Sequence, residues 1–216
     1  MEANYVNALA LFFKHGAIQL REPRFRKMPF FINYAVLDTL PIVREQIFAL
    51  MDGVLNPSDF DAIATAPAGA KYWPAIYADR HGLPFVMPIE VAPSVNTPLA
   101  LYGEQKIGNR VVMLNSFNPP YAMSVMDQHP FVRMYDVLHA VHYKVAAIVT
   151  LFDADRLHFF RSYFSSRKTE VKSVHIFDMY ELLQTVNDSP TAFEVDPCLA
   201  AKAVRHYEQS RNWYSS

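Results

Sequence analysis

The chain has 216 residues, 51% hydrophobic and 19% charged, a composition that excludes a disordered protein and suits one large globular domain. A formal net charge of -1 argues against a strongly electrostatic nucleic-acid binder. Polar residues break every apolar run short of a membrane span, and no basic-then-apolar signal opens the chain. The single cysteine, Cys198, excludes an internal disulfide and a cysteine-built zinc cluster, so a cytoplasmic location is expected.

Taken in order, residues Asn4 to His15 carry apolar side chains at helical spacing, with Gly16 placed to cap the helix. A short strand pair follows, Ile18-Gln19-Leu20 and Phe30-Phe31-Ile32-Asn33-Tyr34, flanking a basic turn that holds Arg21, Arg24, Arg26 and Lys27. Pro41 opens a helix whose apolar stripe runs from Ile42 and Val43 through Ile47, Phe48, Leu50 and Met51 to Val54 and Leu55. From Phe60 the pattern alternates. Asp61–Thr65 reads as a strand, Ala66–Lys71 as a loop, Tyr72–His81 as a helix ended by Gly82, and Leu83–Ile89 as a strand. Val91–Gly108 has no period and is expected to be a mobile loop.

Val111-Val112-Met113-Leu114 is the stretch around which the chain is organised. Four consecutive apolar residues predict a strand buried on both faces, near the sheet centre. The run stops at Asn115-Ser116, and a polar loop with Pro119-Pro120 follows. Further on, a helix runs from Phe131 to about His142, strands cover Val145–Phe152 and Val174–Phe177, and a helix covers Asp178–Val186. A linker over 187–195 leads to an amphipathic helix from about Pro197 to Tyr207. Alternating strands and helices predict an α/β fold with a mostly parallel sheet flanked by helices. Ligands of such sheets bind beyond the carboxyl ends of the strands, so the site is expected after Leu114.

Several segments resemble, in order, those of orotate phosphoribosyltransferases. Ile18–Arg21 with Arg24, Lys27 and Pro29–Asn33 is similar to that family's N-terminal hood. Asp59–Ile63 with Ala66-Pro67-Ala68-Gly69 resembles its strand and pyrophosphate loop, and Arg80–Pro84 the helix end and strand beyond. Tyr102-Gly103 and Gly108–Val112 resemble the exit of the flexible loop and the central strand, and Asp155-Arg156 resembles an aspartate-arginine pair after a later strand. The resemblance covers about residues 4–187. It implies a type I phosphoribosyltransferase fold, with a domain over 1–187, a hood over about 1–35, and a linker and C-terminal helix over 188–216. It also implies a homodimer that completes its sites across a two-fold axis.

The departures from the family pattern fall on its chemistry. The resemblance implies an acidic pair that holds ribose hydroxyls, a glycine-rich loop that holds the 5-phosphate, and loop cations that clamp pyrophosphate. Here those positions are Asn115-Ser116, the glycine-free Phe117–Tyr121 loop, and Ala92–Leu101, which has no basic residue. Proline has no amide donor, and a leaving diphosphate needs cations. Two readings follow. One is a binding, regulatory or assembly component with lost or much reduced catalysis. The other is an active phosphoribosyltransferase that transfers ribose-5-phosphate to a nucleobase such as orotate, with magnesium required only for phosphoribosyl pyrophosphate.

No catalytic residue is assigned. The substrate-binding candidates are Arg21, at the place of a hood lysine; Lys71, placed to meet an anion at a helix N-terminus; Asn115 and Ser116, for sugar hydroxyls; and Arg156, for a carboxylate. Four of them have a plainer alternative: a solvated turn charge for Arg21, a helix cap for Asn115 and Ser116, a surface ion pair for Arg156. A small anion or nucleotide-like ligand is therefore expected, with no resident cofactor. His139 and His142 stand three apart on a helix without a carboxylate motif, and no metal site is expected there. Cys198 is expected to pack in the last helix, and Phe159-Phe160 with Tyr163-Phe164 to form a partner surface.

Overall fold

The structure, a computed structural model, describes residues 2–24, 28–66, 72–89, 100–102, 109–118, 130–154, 163–164 and 171–211. Helix α1 (Glu2–Lys14) buries Ala8, Leu9 and Phe12. It ends where Gly16, at a φ of +70°, lets the Ala17 amide reach back to the Phe12 carbonyl at 2.8 Å. Strands β1 (Ile18–Leu20) and β2 (Phe30–Ile32) pair antiparallel, with Ile18 opposite Ile32. The second strand is shorter than expected. Asn33 leaves it and accepts the Val36 amide at 3.4 Å, which starts a helix α2 (Tyr34–Thr39) that the sequence did not announce. Helix α3 (Pro41–Asp52) has proline in its first turn and buries Val43, Ile47, Phe48 and Met51, while Ile42 faces solvent.

Among the described residues six strands form the main sheet: β3 (Ala62–Thr65), β4 (Phe85–Ile89), β5 (Ala100–Tyr102), β6 (Arg110–Asn118), β7 (Lys144–Asp153) and β8 (Lys172–Asp178). Their order is β5-β4-β3-β6-β7-β8, parallel throughout except for β5, which pairs antiparallel with β4. Helices α4 (Tyr72–Arg80) and α5 (Pro130–Ala140) cover opposite faces. Strand β6 shows why. Val112 and Leu114 share a core with Phe12, Ile47 and Trp73, whereas Val111 and Met113 pack with Met134 and Leu138. An apolar run without alternation is what a strand covered on both sides requires.

Helix α6 (Met179–Asp188) starts at Asp178, whose carboxylate accepts the amides of Tyr180 and Glu181 at 2.8 and 3.1 Å. The last helix is α7 (Pro197–Arg211). Ala200, Ala203 and Tyr207 sit one turn apart on its inner side and join the same core as α1 and β1. Tyr207 Oη donates to the Ala154 carbonyl at 2.8 Å, which ties α7 to the end of β7. Among the described residues no helix is long and apolar enough to cross a membrane.

Several expectations are corrected. Strand β6 continues through Asn115 and Ser116 to Asn118, because the ladder to β7 continues through Asn115–Thr150, Phe117–Phe152 and Asn118–Asp153. These buried backbone groups find their partners in the sheet, so polarity alone does not end the strand. Strand β5 lies inside the stretch read as an aperiodic loop, being too short to show a period. The rest of that stretch, with its expected mobility, lies outside the described residues. The presumed linker contains a 3-10 turn, Pro190–Phe193, that buries Phe193. Cys198 is exposed, since the inner face of α7 belongs to Ala200, Ala203 and Tyr207. Tyr163 and Phe164 are buried edge-on against Tyr135, at ring distances of 6.0 and 4.9 Å, and offer no partner surface; Phe159-Phe160 lies outside the described residues.

Candidate functional site

Beyond the carboxyl ends of β3 and β6, where such sheets have their ligand crevice, the described residues that meet come from α2, the first turn of α4 and the end of β6. Ser116 is 2% exposed, and its Oγ accepts the indole Nε1–H of Trp73 at 3.0 Å. Asn115 closes on its own strand. Its Nδ2 donates to the Phe117 carbonyl at 3.0 Å, and its Oδ1 accepts the Phe117 amide at 3.2 Å. Among the described residues, Ser116 holds a buried indole and Asn115 braces the end of a strand.

At the start of α4 the amides of Tyr72 and Trp73 both donate to Asp38 Oδ1, each at 3.0 Å. Asp38 comes from α2 and is 9% exposed. Helix N-termini attract anions through free amides and the helix dipole. Here a carboxylate of the chain itself takes that position. The contact spans thirty-four residues of sequence and has no local signature, so sequence reasoning missed it.

The structure brings together Ser116, Trp73 and Asp38, while the Asn115 side chain turns to the Phe117 backbone. Arg21 is outside this group: it lies exposed on the hood, its guanidinium carbon 3.9 Å from the centroid of the Phe31 ring. Lys71 and Arg156 lie outside the described residues, as do Pro119 and Pro120.

A second polar cluster lies at the ends of β6, β7 and β8. The ladders set Asn118, Asp153 and Asp178 side by side. Asn118 and Asp153 are fully buried, with Asn118 Nδ2 donating to Asp153 Oδ1 at 2.8 Å. His175 Nδ1 lies 3.5 Å from Asp153 Oδ2, a charge contact beyond the range of a good hydrogen bond. The neighbouring Asp153 carboxylate raises the His175 imidazole above its ordinary value, with burial opposing and Asp178 and Glu181 adding smaller upward pulls. The sequence pattern placed Asn118 in a loop and Asp153 past a strand end, which hid the cluster.

Among the described residues no group of three His, Cys, Asp or Glu side chains could hold a metal ion. At Asn115 and Ser116 the groups offered are a neutral amide and a hydroxyl, both engaged within the protein. This donor set does not fit a resident magnesium ion, which prefers carboxylate and phosphate oxygens.

No protein-family profile matches the sequence, and no curated protein does. Solved structures do match the fold. Leishmania donovani UMP synthase superposes with a TM-score of 0.72 at 19% identity, over 94% of this chain and 42% of that one. The chain thus spans less than half the length of that protein. The orotate phosphoribosyltransferase of Aeropyrum pernix gives a TM-score of 0.63 at 16% identity, over 84% of this chain and 98% of the other. That of Francisella tularensis gives 0.61 at 14% identity, over 95% and 94%. The fold is therefore that of the type I phosphoribosyltransferases, in the form found in orotate phosphoribosyltransferases.

Proposed function

We propose that this chain is an orotate-phosphoribosyltransferase-like protein that no longer transfers ribose-5-phosphate and acts as a binding, regulatory or assembly component. The observation that carries this reading is the Asp38 carboxylate on the first two amides of α4. A diphosphate brought to that helix end would meet a buried negative charge of the protein. Ser116 and Asn115 add to it, being committed to Trp73 and to the Phe117 backbone. They carry no charge to orient ribose hydroxyls or to hold magnesium. Removing one preorganised group costs on the order of 3 kcal/mol of transition-state stabilisation, about a hundredfold in rate, and several groups are replaced here.

Calorimetry with phosphoribosyl pyrophosphate and magnesium tests the reading, together with an assay of orotate turnover. The expected outcome is no saturable heat and no turnover above background. Tight magnesium-dependent binding with turnover at an ordinary enzymatic rate would restore the active phosphoribosyltransferase.

The ligand that remains within reach of this scaffold is a small anion or a nucleotide-like molecule, for which Arg21, Lys71 and Arg156 are the basic candidates. The proposed assembly is a homodimer through the hood. The exposed Phe31 under Arg21 supports it, as an aromatic with a charged cover suits an interface rim. Light scattering at micromolar concentration is expected to give twice the chain mass; a monomer would count against the dimer.

A further inference from the structure

At the end of the sheet opposite the crevice, where β6 and β8 begin, a recess of about 120 Å³ opens. Its origin lies in residue sizes and in the path of the chain. Helix α3 stops at Asp52, and the segment Val54–Phe60 then crosses the end of the sheet on its way to β3. Beneath it the ladders align Val112 with Ala147 and Lys172, and Val149 with Val174. Alanine stands where a larger side chain would fill the space, so the floor stays open. Ala147, Val149 and Val174 line it, with Leu55 and Phe60 from the crossing segment.

Arg110 and Lys172 also line the recess. Each is the first residue of its strand. Strand alternation puts Arg110 on the side of Val112, and Lys172 on the side of Val174. Neither makes an ion pair among the described residues. The one carboxylate on the lining, Asp59, already accepts from Asn56 Nδ2 at 3.4 Å. On the lining itself two cations stand against one carboxylate; Asp61, off the lining, accepts the Arg110 backbone amide at 2.8 Å. A phosphate ion would gain nothing from the apolar floor, and a hydrocarbon would gain nothing from the cations. A small carboxylate with an aliphatic body satisfies both. A dry cavity of about 150 Å³ accepts benzene, so this one suits a body of about four to six carbons.

We propose that this recess is a binding site for a short aliphatic carboxylate, with Arg110 and Lys172 meeting the carboxylate and Ala147, Val149 and Val174 meeting the chain. The site lies at the far end of the sheet from Ser116 and does not depend on the reading proposed for the crevice.

Titrating the full chain with hexanoate, hexanol and inorganic phosphate, followed by amide NMR shifts, tests this. Hexanoate is expected to shift the Ala147, Val149 and Lys172 amides saturably, and to bind at least about tenfold more tightly than either control. R110Q and K172Q, at exposed positions that leave the core intact, are each expected to weaken hexanoate by about tenfold. A147L, which fills the floor, is expected to abolish binding while the remaining amide spectrum stays folded. Hexanol binding as tightly as hexanoate would overturn the assignment, as would phosphate doing so. Hexanoate binding unchanged in both R110Q and K172Q, or no saturable shift at these amides, would overturn it too.

Discussion

Asp38 and Trp73 meet at the amino terminus of α4, where the Asp38 carboxylate accepts the Trp73 amide at 3.0 Å. The same tryptophan donates its indole N–H to Ser116 at 3.0 Å. One buried side chain thus links the start of a helix to the end of the central strand. The two sides of the crevice are joined here by bonds within the protein.

Replacing Asp38 with alanine leaves the Tyr72 and Trp73 amides without their carboxylate acceptor. The expected loss is about 1–2 kcal/mol of stability, as for other helix caps, read by urea denaturation. D38N keeps an acceptor oxygen without the charge and is expected to lose less. Full stability in D38A would show that the cap contributes nothing.

The Trp73–Ser116 bond is expected to behave as a buried pair. S116A strands the indole N–H and should cost about 1–3 kcal/mol. Combining it with W73F removes donor and acceptor together, so the double variant should lose less than the sum of the singles. Strict additivity in denaturation would mean that the two groups do not interact.

Adding acids at the strand end is not expected to rebuild a diphosphate site. In N115D combined with S116D, Asp38 still covers the start of α4. Calorimetry with phosphoribosyl pyrophosphate and magnesium should remain flat. Recovery of tight binding from these two changes alone would show that Asp38 does not block the crevice.

Stability should depend on pH through His175. Its pKa is raised in the folded state by Asp153, so the contribution is fully present below the ordinary imidazole value of 6.5 and is lost as pH rises through the folded value. The histidine side chain is 32% exposed, so the effect should be modest. Urea midpoints from about pH 5.5 to 8.5 are expected to fall for the native chain relative to H175Q. Parallel curves for the two proteins would remove His175 from the linkage.

The amino-acid sequence by itself determines the class of fold and the place of the central strand. Val111–Leu114 carries no polar residue, and only a strand covered on both sides accommodates that. Amphipathic helices between such runs require a parallel sheet covered by helices, and the collinear hood and loop segments already point to the phosphoribosyltransferase form. Tertiary structure alone decides what the crevice can hold. Asp38 and Tyr72 are far apart in the chain, as are Trp73 and Ser116, and no periodicity links them. The end of β6 is likewise invisible locally, because polar Asn115, Ser116 and Asn118 stay in the sheet only while β7 offers partners for their backbone. Packing brings Asp153 under His175 and leaves Ala147 beneath an empty recess. Hydrophobic periodicity is a local property that a single sequence displays, whereas the pairing of buried polar groups depends on which distant residues the fold sets side by side.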